Sequence, residues 1–175
     1  MKQKYKSAET SVNSSKLPAI VHIWDDHIIS GLSILDYGCG KFRNTERFLT
    51  AKGFRYFGYD PFNVETIVNR LVLAKQDYHY AILSNVLNVI AERAVRHEIL
   101  WDVKKHLGEG GTLYIKIYEG NKSGVMKVNE KKNSCQLNRK TSDYIPEVEA
   151  VFGEENVKER WINGIHVIEA TKEVK

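Results

Sequence analysis

Ser33-Ile34-Leu35-Asp36-Tyr37-Gly38-Cys39-Gly40 is the stretch on which the fold turns. Its first five residues make a short, largely apolar run of strand length, and the run ends on two glycines one residue apart. Glycine permits a tight turn and lets a ligand approach the backbone with no Cβ in the way. Downstream, Asn44 can cap a helix that carries Glu46 in its first turn and Phe48 and Leu49 on its apolar face. Gly53 fits the position just past that helix's end. Phe54 to Tyr59 is aromatic-rich and strand-like, and it stops at Asp60-Pro61, where proline cannot pair. Strand, glycine turn, helix and strand form a parallel unit, and such sheets bind ligands beyond the carboxyl ends of their strands. The N–H groups that open the helix favour an anionic or polar ligand group. Asp60 ends the second strand, where its carboxylate can accept both hydroxyl hydrogens of a ribose.

The pattern continues outward. Residues 62–77 read as a short helical turn followed by a weak strand, Arg70 to Ala74. Tyr80 to Val86 is a firmer strand around Ala81-Ile82-Leu83. Residues 91–107 predict the clearest helix, with Val95, Ile99, Val103 and Leu107 on one stripe. Gly108, Gly110 and Gly111 end it, and Thr112 to Tyr118 alternates as a strand. Tyr144 to Phe152 is helical. Val157 to Ile162 and Ile165 to Ala170 flank Asn163-Gly164, the preferred pair for a type I′ hairpin turn. Upstream, Pro18 suits a first helical position. Ile20, Ile23, Trp24 and Ile28 then predict an amphipathic helix ending before Gly31. Residues 1–16 are polar, lysine-bearing and aperiodic, and read as a mobile tail; residues 17–175 read as a single domain. Alternating strands and helices closed by a hairpin imply an α/β architecture: a mainly parallel sheet, helices on both faces and one antiparallel edge element.

The chain has 175 residues, 42% hydrophobic and 27% charged, which fits one soluble core. No apolar run reaches the roughly 20 residues that span a bilayer, and the N-terminus lacks the apolar stretch of a secretory signal, so a cytoplasmic location is expected. Cys39 and Cys135 show no metal-site spacing, and the six histidines are scattered. No metal site is expected. Net charge is +4, and Lys116 to Lys140 holds seven Lys or Arg against Glu119 and Glu130. That stretch reads as a solvated, mobile loop, and as the place where a nucleic acid would be drawn in.

Several segments carry a family likeness. Ile34 to Gly40 resembles the first motif of class I S-adenosylmethionine-dependent methyltransferases. Phe57-Gly58-Tyr59-Asp60-Pro61 resembles their acidic second-strand motif. Ile82 to Ile90 resembles the family's fourth-strand motif with its exit loop, and Asn163-Gly164 the turn of its terminal hairpin. The likeness runs over residues 33–172. Asp36 to Gly40, Tyr59 to Pro61 and Val86 to Ile90 are also similar to small methyltransferase-like proteins of bacterial DNA-modification systems and mobile elements.

The resemblance implies a Rossmann-like methyltransferase fold with S-adenosylmethionine as cofactor. It implies that Gly38 and Gly40 pass the cofactor's methionine part and that Asp36 organises its amino group. It implies that Asp60 holds the ribose hydroxyls and that Pro61 and Phe62 border the adenine. Ser84 and Asn85 would lie beside the sulfonium, where the acceptor enters. Cys39, inside the turn, reads as a small packing residue. No residue stands out as a general base; Asn85, Lys116, Tyr118 and Glu119 lie near the expected strand ends.

There are departures. The family's third glycine falls at Phe42, whose bulk is expected to crowd the cofactor or shift the loop. The 61–77 segment is short for the usual helix, third strand and second helix, which implies a shallow adenine pocket or one completed by another chain. No Asp-Pro-Pro-Tyr-like motif occurs. Two readings follow: a methyltransferase with an unidentified acceptor, or a nucleic-acid-binding module in which S-adenosylmethionine binding is regulatory or vestigial. A nicotinamide-dependent oxidoreductase is disfavoured, because Arg43 stands where its fingerprint needs a third glycine.

Overall fold

The computed structural model describes residues 3–6, 16–26 and 31–174. Six strands form one sheet: β1 (Ser33–Tyr37), β2 (Arg55–Tyr59), β3 (Tyr78–Ser84), β4 (Leu107–Lys116), β7 (Val157–Ile162) and β8 (Ile165–Thr171). Their order is β2-β1-β3-β4-β8-β7. The first four are parallel; β8 runs antiparallel to both β4 and β7. Helix α1 (Asn44–Ala51) carries the chain from β1 to one side, and α2 (Thr66–Ala74) returns it to the other side of β1 as β3. Strand order therefore reverses between β1 and β3, which opens a crevice at their carboxyl ends.

Every residue of β1 is buried, as a central parallel strand requires. Its side chains alternate between two cores. Ile34 joins Ile82, Val167, Leu49, Phe54 and the Ile20–Trp24 cluster on one face. Leu35 and Tyr37 join Leu83, Leu113, Ile115 and the apolar stripes of α3 (Arg93–His106) and α4 (Ile145–Phe152) on the other. The expected mainly parallel sheet with helices on both faces and a terminal hairpin is thus what the chain forms. At the hairpin, Asn163 and Gly164 have φ of 48° and 76°, the conformation a type I′ turn demands. Among the described residues, no helix is long and apolar enough to cross a membrane.

Four local expectations need correction. Ala19–Trp24 is a 3-10 helix, not an α-helix, and Ile28 lies outside the described residues. Asn44 is the first residue of α1, not its cap; Arg43 holds the cap position, and its side chain donates to Glu46. Arg70 to Ala74 is helical, part of α2, so β2 is the sheet edge. The pattern misleads because α2 buries Val72 and Asn69 but leaves Ile67 and Leu71 exposed, so its apolar residues mark no single face.

The fourth concerns the basic stretch, which is not an irregular loop. β5 (Met126–Asn129) and β6 (Ser134–Leu137) form an antiparallel hairpin of their own. Cys135 and Leu137 are buried, and the Cys135 thiol donates to the Val89 carbonyl at 3.3 Å. Most of the expected tail lies outside the described residues. Within its described part, the Lys4 N–H donates to Glu92 at 3.0 Å.

Candidate functional site

A cleft of about 610 Å³ opens at the carboxyl ends of β1, β2 and β3. Its floor is the glycine turn. Gly38 has φ of 89° and Gly40 φ of 69°, both in the region that favours glycine. Space makes the same demand at Gly38, where a Cβ would lie 2.6 Å from Val86 Cγ2. The Tyr59 carbonyl accepts the N–H of Gly38 at 2.7 Å and of Cys39 at 3.1 Å, which ties the turn to the end of β2.

Asp60 completes that tie. Its Oδ2 accepts the Gly40 N–H at 3.0 Å. Its Oδ1 accepts the N–H groups of Phe62 and Asn63 and the Asn63 side chain, at 2.8 to 3.1 Å. A carboxylate offers about four acceptor sites. Asp60 therefore orders its own loop, and what remains for a ligand is on Oδ2, less than the two open positions expected. Asn69 of α2, buried, fixes Asp60 from behind: its Oδ1 accepts the Asp60 N–H and its Nδ2 donates to the Asp60 carbonyl. Asn69 leaves no mark in the sequence pattern, because the helix that presents it does not show in the apolar spacing.

Asp36 is buried under the turn and accepts the Tyr56 hydroxyl at 2.8 Å. Burial pushes its carboxyl up to about 7; the Asp60 charge adds to the rise and the Tyr56 bond opposes it. Among the described residues no cation pairs with Asp36 or Asp60. Burial, reinforced by both carboxylates, likewise pushes the Cys39 thiol well above its usual range. A Cβ on Gly58 would come within 3.0 Å of Cys39 Sγ. A thiol held in that way stays protonated, which suits a packing group.

Of the residues singled out in the sequence, Asp36, Gly38, Cys39, Asp60, Pro61, Phe62, Ser84 and Asn85 all line the cleft. Gly40 does not; it acts through its N–H to Asp60. Asn85 ends β3 with φ of 57°, and its N–H donates to the Lys116 carbonyl at 2.8 Å. Asparagine accepts that conformation more readily than most residues. Tyr118 also lines the cleft, whereas Lys116 and Glu119 face a different cavity. Phe42, at the position of the family's third glycine, lines the cleft as well and is 40% exposed.

Most of the opposite wall lies outside the sequence motifs; of its residues, Asn88 alone falls within the Ile82 to Ile90 segment. The wall comes from the β5–β6 hairpin, through Lys127, Asn129, Ser134, Cys135 and Gln136, and from Asn88 beneath it. Asn88 Nδ2 donates to Gln136 Oε1 at 3.0 Å, and Gln136 Nε2 donates to the carbonyls of Tyr118 and Leu137. This chain of bonds fixes both amides and docks the hairpin on the body.

Neither a protein-family model nor a curated protein matches the sequence. Solved structures do match. One is a Burkholderia thailandensis 1,6-didemethyltoxoflavin-N1-methyltransferase with bound 1,6-didemethyltoxoflavin and S-adenosylhomocysteine. It superposes with a TM-score of 0.62 at 18% identity, over 95% of this chain and 80% of that one. A Methanosarcina mazei S-adenosylmethionine-dependent methyltransferase gives 0.58 at 15% identity, over 91% of this chain and all of the other. CalS10, an S-adenosylmethionine-bound amino pentose methyltransferase from Micromonospora echinaspora, gives 0.53 at 11% identity, over 95% and 92%. The chain has the fold of the S-adenosylmethionine-dependent methyltransferases. Among the described residues no strand lies beyond β2, and Phe62, on the loop after that strand, is 40% exposed at the cleft mouth.

Proposed function

We propose that this chain is an S-adenosylmethionine-dependent methyltransferase whose cofactor lies in the cleft over the glycine turn. The observation that carries this reading is the pair of buried carboxylates, Asp36 and Asp60, which share the cleft floor and form no ion pair with one another's neighbours among the described residues. A ligand with a sulfonium and an ammonium group supplies a matching positive charge. Gly38 lets it approach the backbone, Asp36 faces its ammonium end, and Asp60 holds the loop and takes a ribose hydroxyl on Oδ2. Pro61 and Phe62 border the adenine.

When bound, the cofactor supplies a methyl group already activated on positive sulfur, so the protein's part is orientation and electrostatics. Ser84 and Asn85 stand where the acceptor enters, facing the β5–β6 wall. Apart from Asp36 and Asp60, the described lining of the cleft contains no carboxylate and no histidine. A general base is required only when the nucleophile must lose a proton before attack. The other titratable groups of the lining are lysines, tyrosines and cysteines, side chains ordinarily protonated at neutral pH, so the lining favours an acceptor that is nucleophilic while neutral, such as a nitrogen with a free lone pair.

Asp36 provides the test. Its folded-state carboxyl titrates at about 7 against an ordinary 3.8, so the free fold binds that proton more tightly than the unfolded chain does. Its contribution to stability is full at low pH and lost as pH rises towards 7. A cationic ligand prefers the carboxylate. Affinity for S-adenosylmethionine is expected to rise with pH up to about 7, at most tenfold per unit for one proton, and to level off above. Asp36→Asn should weaken binding and flatten the profile. A wild-type profile that is flat between pH 5.5 and 8 (a range set by the ~7 midpoint), together with Asp36→Asn binding like wild type, would remove Asp36 from the site.

A further inference from the structure

Beside the cleft, across the end of β4, lies a second cavity of about 480 Å³. Lys116, Lys122, Lys140 and Ser142 line it, with Trp161 and His166 of the terminal hairpin. The two cavities share a wall, because the Lys116 carbonyl accepts the N–H of Asn85 at the mouth of the cleft. We propose that this second cavity binds single-stranded nucleic acid: a base stacks on Trp161, the lysines hold the adjoining phosphates, and a neighbouring base is presented to the cleft.

Trp161 and His166 are cross-strand partners, and their rings stack at 4.4 Å with 2° between planes. Trp161 is nonetheless 70% exposed. One face of the indole is spent on His166; the other is offered to solvent as a flat platform. Stacking of a base on such a platform is worth about tenfold or more in affinity and tolerates any sequence.

The charges beside it are unbalanced. Glu119 is paired with Lys122 at 2.8 Å, and Glu159 with His166 at 2.7 Å. Among the described residues, neither Lys116 nor Lys140 is in an ion pair. Lys116 is half-buried; burial holds its ammonium below the usual lysine range, and the nearby Lys122 charge pushes the same way while Glu119 opposes. An anion at this point relieves both penalties. A membrane surface needs a broad apolar face with its basic fringe, more than one indole supplies, and an acidic peptide brings a flat ring only where an aromatic residue falls in register. A phosphodiester strand matches both features, and its bases carry neutral nitrogen nucleophiles of the kind the cleft favours.

The rest of the basic stretch takes different roles. Arg139 is committed to Glu147 at 2.9 Å and is structural. Lys131 and Lys132 sit at the exposed tip of the β5–β6 hairpin.

Only the fate of the presented base rests on the methyl-transfer reading; strand binding does not. The test uses fluorescence anisotropy of labelled single-stranded DNA and RNA, ~12 nucleotides long, at ~50 mM salt. Wild-type protein is expected to bind. Trp161→Ala should weaken binding about tenfold, and Trp161→Phe should restore most of it. Lys116→Ala with Lys140→Ala should flatten the log–log salt slope by about 1.4, roughly 0.7 for each phosphate that is no longer neutralised. S-adenosylhomocysteine affinity, measured in parallel, should not change in any variant. No binding by the wild type, binding by Trp161→Ala equal to wild type, or attachment to anionic lipid vesicles in place of oligonucleotides would each overturn the proposal. Loss of cofactor binding alone, with the oligonucleotide pattern intact, would instead overturn the reading of the cleft.

Discussion

Gly38→Ala is expected to reduce S-adenosylhomocysteine affinity by about 100-fold or more, close to 3 kcal/mol. Two costs combine. Alanine resists a φ of 89°, a strain of about 1–3 kcal/mol. Its Cβ would also meet Val86 Cγ2 at 2.6 Å. Valine is stiff at χ1, so the loop after β3 must move instead, and overpacking of this kind costs about 1–3 kcal/mol. That loop carries Asn85 and lines the cleft, so the shift reaches the site directly. Adding Val86→Ala removes the collision but leaves the backbone strain. The double variant should regain part of the lost stability and part of the affinity. If Gly38→Ala bound like wild type, the turn would not be the cradle.

Arg96→Ala should produce the largest loss of stability, about 3–5 kcal/mol, seen as a melting temperature lower by about 6–20 °C for a chain of this size. Arg96 is buried and reaches in two directions. Its Nε and Nη2 donate to the two oxygens of Glu147 at 2.8 Å each. Its Nη1 donates to the carbonyls of Ile90 and Ala91 at 2.8 and 2.9 Å. Burial alone would raise the Glu147 carboxyl; the bonds from Arg96 and Arg139 hold it below its ordinary value instead. Truncation strands a buried carboxylate with a single partner and leaves two buried carbonyls unpaired. Arg96→Met with Glu147→Leu removes the buried ion pair together and is expected to recover part of the loss; the Ile90 and Ala91 carbonyls stay without their donor, and Arg139 loses Glu147. A thermal or urea melt of Arg96→Ala within ~1 kcal/mol of wild type would show that the pair is solvated and weak.

What could be read in the sequence, and what could not, follows from how local each signal is. The β1 run, the glycine turn, Asp60 and the Asn163-Gly164 hairpin are each specified within a few residues. A glycine at φ of 89° or an Asn-Gly at φ of 48° and 76° leaves a mark in the chain itself. α2 is different. Its buried face is narrow, and Asn69, its one polar core residue, exists to serve Asp60, so apolar periodicity understates it. The β5–β6 hairpin escapes notice for a related reason. Its strands are four residues each, and β5 is largely exposed while β6 is buried against the turn after β3. The bond that docks the hairpin joins two polar residues, Asn88 and Gln136, and the hairpin's buried apolar share is only Cys135 and Leu137, too short a run to show a period. Charge counting finds seven basic residues there. It cannot tell that Arg139 is structural, that Lys127 lines the cleft or that Lys116 and Lys140 face another cavity.

Isothermal titration calorimetry of the purified chain with S-adenosylhomocysteine tests the central claim most directly. The expected result is saturable binding at one site per chain, with the negative heat-capacity change of apolar burial, lost in Gly38→Ala and weakened in Asp36→Asn. Absence of any binding up to ~1 mM ligand, in protein whose melt shows it folded, would contradict it.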